Sequence, residues 1–130
     1  MAETQQAEPG LGVLLVEDSP RIAERLRELL MQTSGVQVLA TVVDEPSAIQ
    51  ALRDLPVDLL ILDLQLKIGT GFGVLESIGA HRPTTVVMTN YALPQYRERA
   101  KQLGVEFFLN KEKDFERLPE IVAGIKAGLH

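Results

Sequence analysis

The chain has 130 residues, a net charge of -5 at pH 7 and no cysteine. The length suits one domain with a single core, and the lack of cysteine excludes disulfides, thiol catalysis and thiolate metal sites. The negative charge argues against direct binding to nucleic acid, and no apolar run approaches the ~20 residues that span a bilayer. We therefore expect a cytoplasmic protein that binds neither nucleic acid nor a membrane directly.

The first third of the chain predicts a tail followed by a strand and a helix. Residues 1–10 are polar and aperiodic, so we predict a disordered tail there. An apolar run predicts the first strand over Leu11–Val16, which ends at the adjacent acids Glu17-Asp18. Ser19-Pro20 suits the N-cap and first position of a helix that should run to about Thr33.

The second and third strands are predicted to differ in burial. Val36–Val43 alternates at first, which indicates a strand near the sheet edge, and a helix follows from Asp44 and ends before Pro56. Val57–Asp63 contains an unbroken apolar run, typical of a strand buried on both faces. A buried, unpaired carboxylate is costly, so Asp63 should lie at the strand's C-terminal end, where open α/β sheets bind ligands.

The rest of the chain continues this alternation. Asp114 can cap the last helix, and Pro119 inside it should kink or restart it. The count of five strands and five helices predicts an α/β fold, with a parallel sheet covered by helices on both faces. The remaining predicted elements are a loop over 64–70, a helix from Gly71, a strand over Thr84–Thr89, a helix from Leu93-Pro94 closed by Gly104, a strand over Val105–Leu109, and the helix from Phe115 to Leu129.

Polar side chains follow several of these strands at the point where each strand ends. Because the carboxyl ends of parallel strands share one edge, these side chains can converge. Carboxylates about 4 Å apart repel by roughly 4 kcal/mol at an effective dielectric near 20, and Mg²⁺ would relieve this repulsion. One carboxylate could then attack a phosphorus to give an acyl phosphate, with a lysine and the metal stabilising the transferred charge. The residues concerned are Glu17, Asp18, Asp63, Thr89 and Lys111.

In this pattern the chain resembles the receiver domain of the two-component response-regulator family, from Leu11 to about Leu129. Members carry an acidic pair, a phosphoacceptor Asp, a Thr or Ser and a Lys at these strand ends in this order. The resemblance implies a flavodoxin-like, doubly wound parallel sheet in the order 2-1-3-4-5, with the receiver domain over residues 11–130. It also implies a phosphoacceptor that catalyses its own phosphorylation and dephosphorylation but is not otherwise an enzyme.

The resemblance also implies roles for single residues. Asp63 would be the phosphoacceptor, while Thr89 and Lys111 would contact the phosphoryl oxygens. Phe108 matches the aromatic switch position that acts together with Thr89. Simpler interpretations stay open: Lys111 could belong to a solvated turn, Phe108 to the core and Asp63 to a loop that caps the next turn, and a Thr at the end of a β-branched strand is common.

A magnesium site is implied at the same place. Asp18 would bind Mg²⁺ directly and Glu17 through water, with Asp63 and the backbone carbonyl of Gln65 as further ligands. Glu17 stands where the family often has Asp, which keeps the charge. The simpler alternative is that Glu17 and Asp18 are acids favoured by the N-terminus of the following helix.

Some positions depart from the family pattern or tune it. Glu112 follows Lys111 where the family usually has Pro after a cis bond, and Lys67 stands where Pro is common. Gln65 and Tyr91 match positions that tune phosphoryl lifetime, and we hypothesise that Tyr91 shields the phosphorus from water.

The implied phosphoryl source is a histidine kinase, a phosphotransfer protein or a small donor such as acetyl phosphate. The downstream protein partner is open, as is the choice between a stand-alone receiver and the N-terminal piece of a DNA-binding regulator. Rival functions are a pseudo-receiver that is never phosphorylated, a phosphohydrolase, which usually needs a second acid where Gln65 stands, and a flavin-binding module. A homodimer through the fourth and fifth helices is also a hypothesis, with a patch formed by Arg97, Arg99, Lys101, Arg117 and Glu120.

Overall fold

The computed structural model describes residues 10–79, 82–90 and 92–128, in which five strands form a single sheet. The predicted tail up to residue 9, Tyr91 and Leu129 lie outside these ranges. The strands are β1 (Leu11–Val16), β2 (Val36–Val42), β3 (Leu59–Leu62), β4 (Thr84–Thr89) and β5 (Phe107–Asn110). They pair in parallel in the order β2-β1-β3-β4-β5. The predicted sheet type and strand order are therefore confirmed.

Helices cover both faces of this sheet, as predicted. They are α1 (Pro20–Leu30), α2 (Glu45–Asp54), α3 (Gly71–Ile78), α4 (Pro94–Gln102) and α5 (Leu118–Gly128). One core layer joins β1, β3 and β4 to α1 and α5, and the other joins β1 and β3 to α2 and α3. Within the described residues, no helix is both long and apolar enough to cross a membrane.

The period of two along β1 explains how one strand serves both core layers. Val13 and Leu15 pack on the side of α1 and α5, whereas Leu14 and Val16 pack on the side of α2 and α3. All residues of β1 and β3 are buried, while β2 lies at the sheet edge and is mostly half-buried. The prediction that β2 lies near an edge is thus confirmed.

Two strands begin later than predicted, each directly after an acid whose side chain binds the neighbouring strand. β3 begins at Leu59, and the Asp58 carboxylate before it accepts the Gly12 N–H at 2.8 Å. β5 begins at Phe107, and the Glu106 carboxylate before it accepts the Thr85 N–H at 2.9 Å. These acids thus bind the backbones of β1 and β4, the strands beside them.

Two predictions about helix ends, the C-terminus of α1 and the N-terminus of the last helix, also differ from the structure. α1 ends at Leu30 rather than near Thr33. The prediction that Asp114 caps the last helix is wrong: its side chain makes no cap bond there and instead accepts the N–H of Asn110 at 2.9 Å. A short 3-10 turn, Phe115–Arg117, comes first, and α5 then begins at Leu118, directly before Pro119. The last helix is thus interrupted and restarts near Pro119, as predicted.

Candidate functional site

Acidic side chains gather at the carboxyl edge of the two central strands. Glu17 follows β1 and Asp63 follows β3, and their N–H groups bond to Val42 and Val16 carbonyls at 3.0 Å each. These bonds continue the sheet ladder by one residue and hold the two backbones side by side. Carboxylate oxygens of Glu17, Asp18 and Asp63 all lie within 4.8 Å of one another. The convergence of these three acids at one edge therefore exists in the fold.

Lys111 reaches this cluster from the loop after β5. Its Nζ lies 2.7 Å from Glu17 Oε1 and 2.9 Å from Asp63 Oδ2. Lys111 is 8% exposed, Asp63 6% and Glu17 2%, so this is a buried ion pair rather than a solvated turn. Three carboxylates facing one ammonium group leave an excess of negative charge.

Burial and crowding oppose the ionised form of the acids. Burial raises the pKa of Asp63, and the charge of Asp18 adds to it, although Lys111 and the Gln65 N–H act the other way. Burial likewise raises the pKa of Glu17 against the hydrogen bond from Lys111. Burial would lower the pKa of Lys111, but hydrogen bonds and charges from Glu17 and Asp63 outweigh it and raise that pKa.

The donor atoms of this cluster fit a hard divalent cation. Mg²⁺ prefers oxygen ligands and usually binds through one or two carboxylates plus water and phosphate oxygens. Asp18 is only half-buried, so the cluster opens to solvent on its side. A cation would also offset the repulsion between the carboxylates, which adds to the effect of burial in raising the pKa of Glu17 and Asp63.

The loop after β3 supplies backbone groups beside Asp63. The Gln65 N–H donates to Asp63 Oδ1 at 3.2 Å, while Lys111 holds the other carboxylate oxygen. The loop closes on itself through an isolated bridge between Gln65 and Thr70 and a bond from Gly71 N–H to Leu64 carbonyl at 3.0 Å. Gln65 is thus held next to Asp63 by its own loop.

Thr89 ends β4 at the same edge of the sheet. It is fully buried, and its carbonyl accepts the Lys111 N–H at 3.0 Å. Because β4 lies between β3 and β5, Thr89 stands between the strands that carry Asp63 and Lys111. The fold therefore brings the predicted threonine, lysine and phosphoacceptor positions together.

The loop that carries Lys111 has an unpredicted support. Asn110 Oδ1 accepts the N–H groups of Glu112 and Lys113 at 2.8 and 3.0 Å. Asp114 accepts the Asn110 N–H, and its own N–H returns to the Asn110 carbonyl at 2.9 Å. No cis peptide bond occurs in the described backbone, so Glu112 is accommodated by a trans loop closed by these contacts.

Phe108 lies on β5, which β4 separates from β3, the strand that precedes Asp63. The Arg97 guanidinium stacks over its ring at 4.7 Å from the centroid and donates to its carbonyl at 3.4 Å. Phe107, its neighbour, packs instead against the core layer of α1 and α5. Phe108 is half-buried, and its ring contacts Arg97 of α4.

The family model described as response regulator receiver domain matches residues 13–123. This chain belongs to that family. The match covers β1 through most of α5, so it includes every element that contributes to the acidic cluster.

Relatives of this receiver domain are longer proteins. The fimbriae Z protein of Salmonella typhimurium is 30% identical over 118 residues, which are 89% of this chain and 56% of that protein. The transcriptional regulatory protein BtsR of Escherichia coli is 31% identical over 121 residues, which are 88% of this chain and 47% of that protein. A protein-glutamate methylesterase/protein-glutamine glutaminase of Symbiobacterium thermophilum is 32% identical, and the match covers 88% of this chain and 34% of the relative. The receiver domain thus spans about half the length, or less, of these relatives.

Solved structures agree with this fold. The RcsB response regulator of Salmonella typhimurium superposes with a TM-score of 0.82 at 25% identity, over 92% of this chain and 62% of that one. The non-phosphorylated receiver domain of RcsB from Escherichia coli gives a TM-score of 0.81 at 24% identity, over 92% and 95%. At 24% identity, the structure of the Escherichia coli receiver domain supports the flavodoxin-like receiver fold alone.

Sequence reasoning missed three residues that support the site. Asn110 and Asp114 shape the Lys111 loop, and Glu45 at the start of α2 binds the loop after Asp63. The spacing of Asn110 and Asp114 gave a weak signal, since short polar side chains often close turns on nearby backbone. Glu45 gave none, because its partner Thr70 lies 25 residues away in the chain.

Proposed function

We propose that this receiver domain accepts a phosphoryl group on Asp63 and thereby switches a protein-binding surface. The observation that carries the proposal is the buried Lys111 Nζ, which lies within 2.9 Å of Asp63 inside a cluster of three carboxylates. A structural ion pair needs one acid, whereas this site has an acid surplus that suits a cation and a phosphoryl group.

The proposed reaction is a phosphoryl transfer to carboxylate. An Asp63 oxygen attacks the phosphorus, and the bond from phosphorus to the donor's leaving atom breaks with its electron pair. The leaving atom is an imidazole nitrogen of a histidine kinase or phosphotransfer protein, or an acetate oxygen of acetyl phosphate. The product is an acyl phosphate on Asp63.

Residues around Asp63 would stabilise the transferred group. Lys111 Nζ would move from the Asp63 oxygen to a phosphoryl oxygen, and the Thr89 hydroxyl would donate to another. The Gln65 N–H, now 3.2 Å from Asp63 Oδ1, would keep the carboxylate oriented.

Asp18, Asp63 and the Gln65 carbonyl would hold Mg²⁺, with Glu17 bound through water. When bound, the metal supplies neutralisation of negative charge on the acids and the phosphoryl oxygens. The Lys111 ammonium group would then compensate a smaller share of the negative charge on Glu17 and Asp63.

The output would be a shift in the surface near α4 and β5. A hydrogen bond from Thr89 to a charged phosphoryl oxygen contributes about 1.5–3 kcal/mol, whereas inverting a 1:99 equilibrium takes about 5.5 kcal/mol. The Thr89 contact would therefore shift the population only in part, and a bound partner would complete it. Phe108, now held by Arg97, would move with Thr89 in the switched state.

The proposed setting is cytoplasmic phosphorelay signalling with protein partners. The kinase and downstream partner would bind this domain, while any contact with DNA would belong to another part of a longer regulator. A homodimer through α4 and α5 remains part of the proposal, but Arg97 and Arg99 of its patch already bind Phe108 and Phe72 within the domain.

Mass spectrometry after treatment with acetyl phosphate and Mg²⁺ tests the proposal. We expect one added phosphate on the wild type and none on Asp63→Asn. Asp54→Asn, an exposed acid on α2, is the control and should label like the wild type. An unlabelled wild type would favour the pseudo-receiver, and a labelled Asp63→Asn would place the phosphate elsewhere.

A further inference from the structure

The loop after β3 is held by a residue from a different part of the chain. Glu45, the first residue of α2, donates its N–H to the Ile68 carbonyl at 2.9 Å. Its carboxylate Oε1 accepts the Thr70 N–H at 3.0 Å. One residue thus binds both the tip of the loop, at Ile68, and its returning arm, at Thr70.

The returning arm of the loop lies beside Gln65, which follows Asp63 by two residues. Thr70 pairs with Gln65 in the bridge that closes the loop, and Gln65 donates its N–H to Asp63 Oδ1 at 3.2 Å. A continuous set of contacts therefore runs from Glu45 through Thr70 and Gln65 to Asp63. Glu45 stands at the far end of this set, where it contacts Ile68 and Thr70.

The surrounding glycines leave space for the Glu45 side chain. Gly69 has a φ of +86°, which an L side chain rarely adopts, and a Cβ there would overlap Glu45 Cβ. A Cβ on Gly73 would overlap the Glu45 carboxylate. Any larger residue at either position would displace the acid from the loop.

We propose that Glu45 is a positioning residue for phosphorylation, because it holds the loop that presents the Gln65 backbone to Asp63 and to Mg²⁺. The proposal rests on the proposed function of Asp63. It adds an acid on α2 that acts on Asp63 through Thr70 and Gln65.

The first test measures the loop without metal or phosphodonor. Amide hydrogen exchange of Gln65 and Thr70 in Glu45→Ala should be about threefold to tenfold faster than in the wild type, as expected for the loss of one hydrogen bond. Glu45→Gln should restore most of the protection, because its side-chain oxygen can accept the same bond.

Asp44→Ala is the matched control. Asp44 caps the same helix end by accepting the Ser47 N–H at 2.9 Å, and the contacts to the loop come from Glu45 instead. Asp44→Ala should lower the melting temperature while leaving the exchange of Gln65 and Thr70 unchanged. Equal exchange in Glu45→Ala and Asp44→Ala would overturn the proposal.

A second variant separates positioning from stability. Gly73→Ala favours helix α3 through its higher propensity, yet its methyl group should push the Glu45 carboxylate away from Thr70. We expect faster exchange at Thr70 without a fall in melting temperature. Unchanged exchange at Thr70 and Gln65 would contradict the proposal even if Glu45→Ala did not fold.

Calorimetric titration with Mg²⁺ then links the loop to the site. Glu45→Ala should bind Mg²⁺ about threefold to tenfold more weakly than Asp44→Ala, and acetyl phosphate labelling should slow by a similar factor. Unaltered Mg²⁺ affinity in Glu45→Ala would overturn the proposal. Absence of Asp63 labelling in the wild type would instead refute the proposed function, whereas the exchange experiment would still report on the loop.

Discussion

At the scale of single residues, Asp63 is placed where its charge costs stability. It is buried beside Asp18 and Glu17, and Lys111 only partly compensates, so its pKa is raised. Two carboxylates about 4 Å apart repel by roughly 4 kcal/mol at an effective dielectric near 20. Folding and the proposed phosphoryl transfer therefore place opposing demands on this residue.

The metal-free domain should become more stable when Asp63 loses its charge. We expect Asp63→Asn to raise the melting temperature by a few degrees at pH 7, on the order of what 1 kcal/mol gives a domain of this size. Asp54→Asn on the surface should have a smaller effect. A lower melting temperature for Asp63→Asn, measured by circular dichroism, would mean that the Lys111 pair outweighs burial and repulsion.

The pH dependence of that difference has a defined sign. A carboxyl whose pKa is raised on folding binds its proton more tightly in the native state. The contribution of Asp63 to the unfolding free energy therefore falls as pH rises from 3.8 through its raised pKa. The advantage of Asp63→Asn should be largest above the raised pKa and should shrink as pH falls toward 3.8. Urea unfolding across pH measures it.

At the scale of elements, the loop between β5 and α5 determines where Lys111 lies. Asn110 and Asp114 bind each other's backbone, and Asn110 also accepts two N–H groups in the loop. The hydrogen bond from the Asn110 N–H lowers the pKa of Asp114. Its contribution to stability should therefore be present at neutral pH and be lost as pH falls below 3.8 toward the lowered pKa.

Opening this loop should slow the proposed phosphorylation of Asp63. Asp114→Ala removes the acceptor for the Asn110 N–H, and we expect a loss of about 1 kcal/mol in unfolding free energy with slower labelling by acetyl phosphate. Asp114→Asn retains a side-chain oxygen and should recover most of both. If Asp114→Ala were labelled at the wild-type rate, the loop contacts would not position Lys111.

Helix α4 is largely exposed, and two of its arginines contact neighbouring elements. Ala100 is its one buried residue. Arg97 stacks on Phe108 of β5, while Arg99 stacks on Phe72 and pairs with Glu76 of α3. A helix with so little buried apolar surface can shift at low cost, which is what a switching surface requires.

At the scale of the whole molecule, cation binding should increase the free energy of unfolding of the domain. A ligand that binds only the folded state stabilises it by about 2.7 kcal/mol at a concentration of 100 times Kd. We expect Mg²⁺ to raise the melting temperature of the wild type, and to do so much less in Asp63→Asn and Asp18→Asn. Sodium chloride at matched ionic strength is the control, and an equal response to both salts would exclude a specific site.

Much of the architecture was predictable from local pattern. β1 was predicted at its observed bounds because an unbroken apolar run ends abruptly at Glu17. The convergence of Asp63 and Lys111 was predicted because parallel strands place their carboxyl ends at one edge. The Asp114 cap was predicted wrongly because the competing acceptor role toward Asn110 depends on the folded loop.

The sequence alone determined the alternation of strands and helices and the polar residues at the ends of β1, β3, β4 and β5, since periodicity and chain direction are local properties. Only the tertiary structure decided that Lys111 pairs with both Glu17 and Asp63, and that Glu45 binds the loop that follows Asp63. Those contacts join residues far apart in the chain. Their formation depends on loop closure and burial, for which the linear sequence carries no periodic signal.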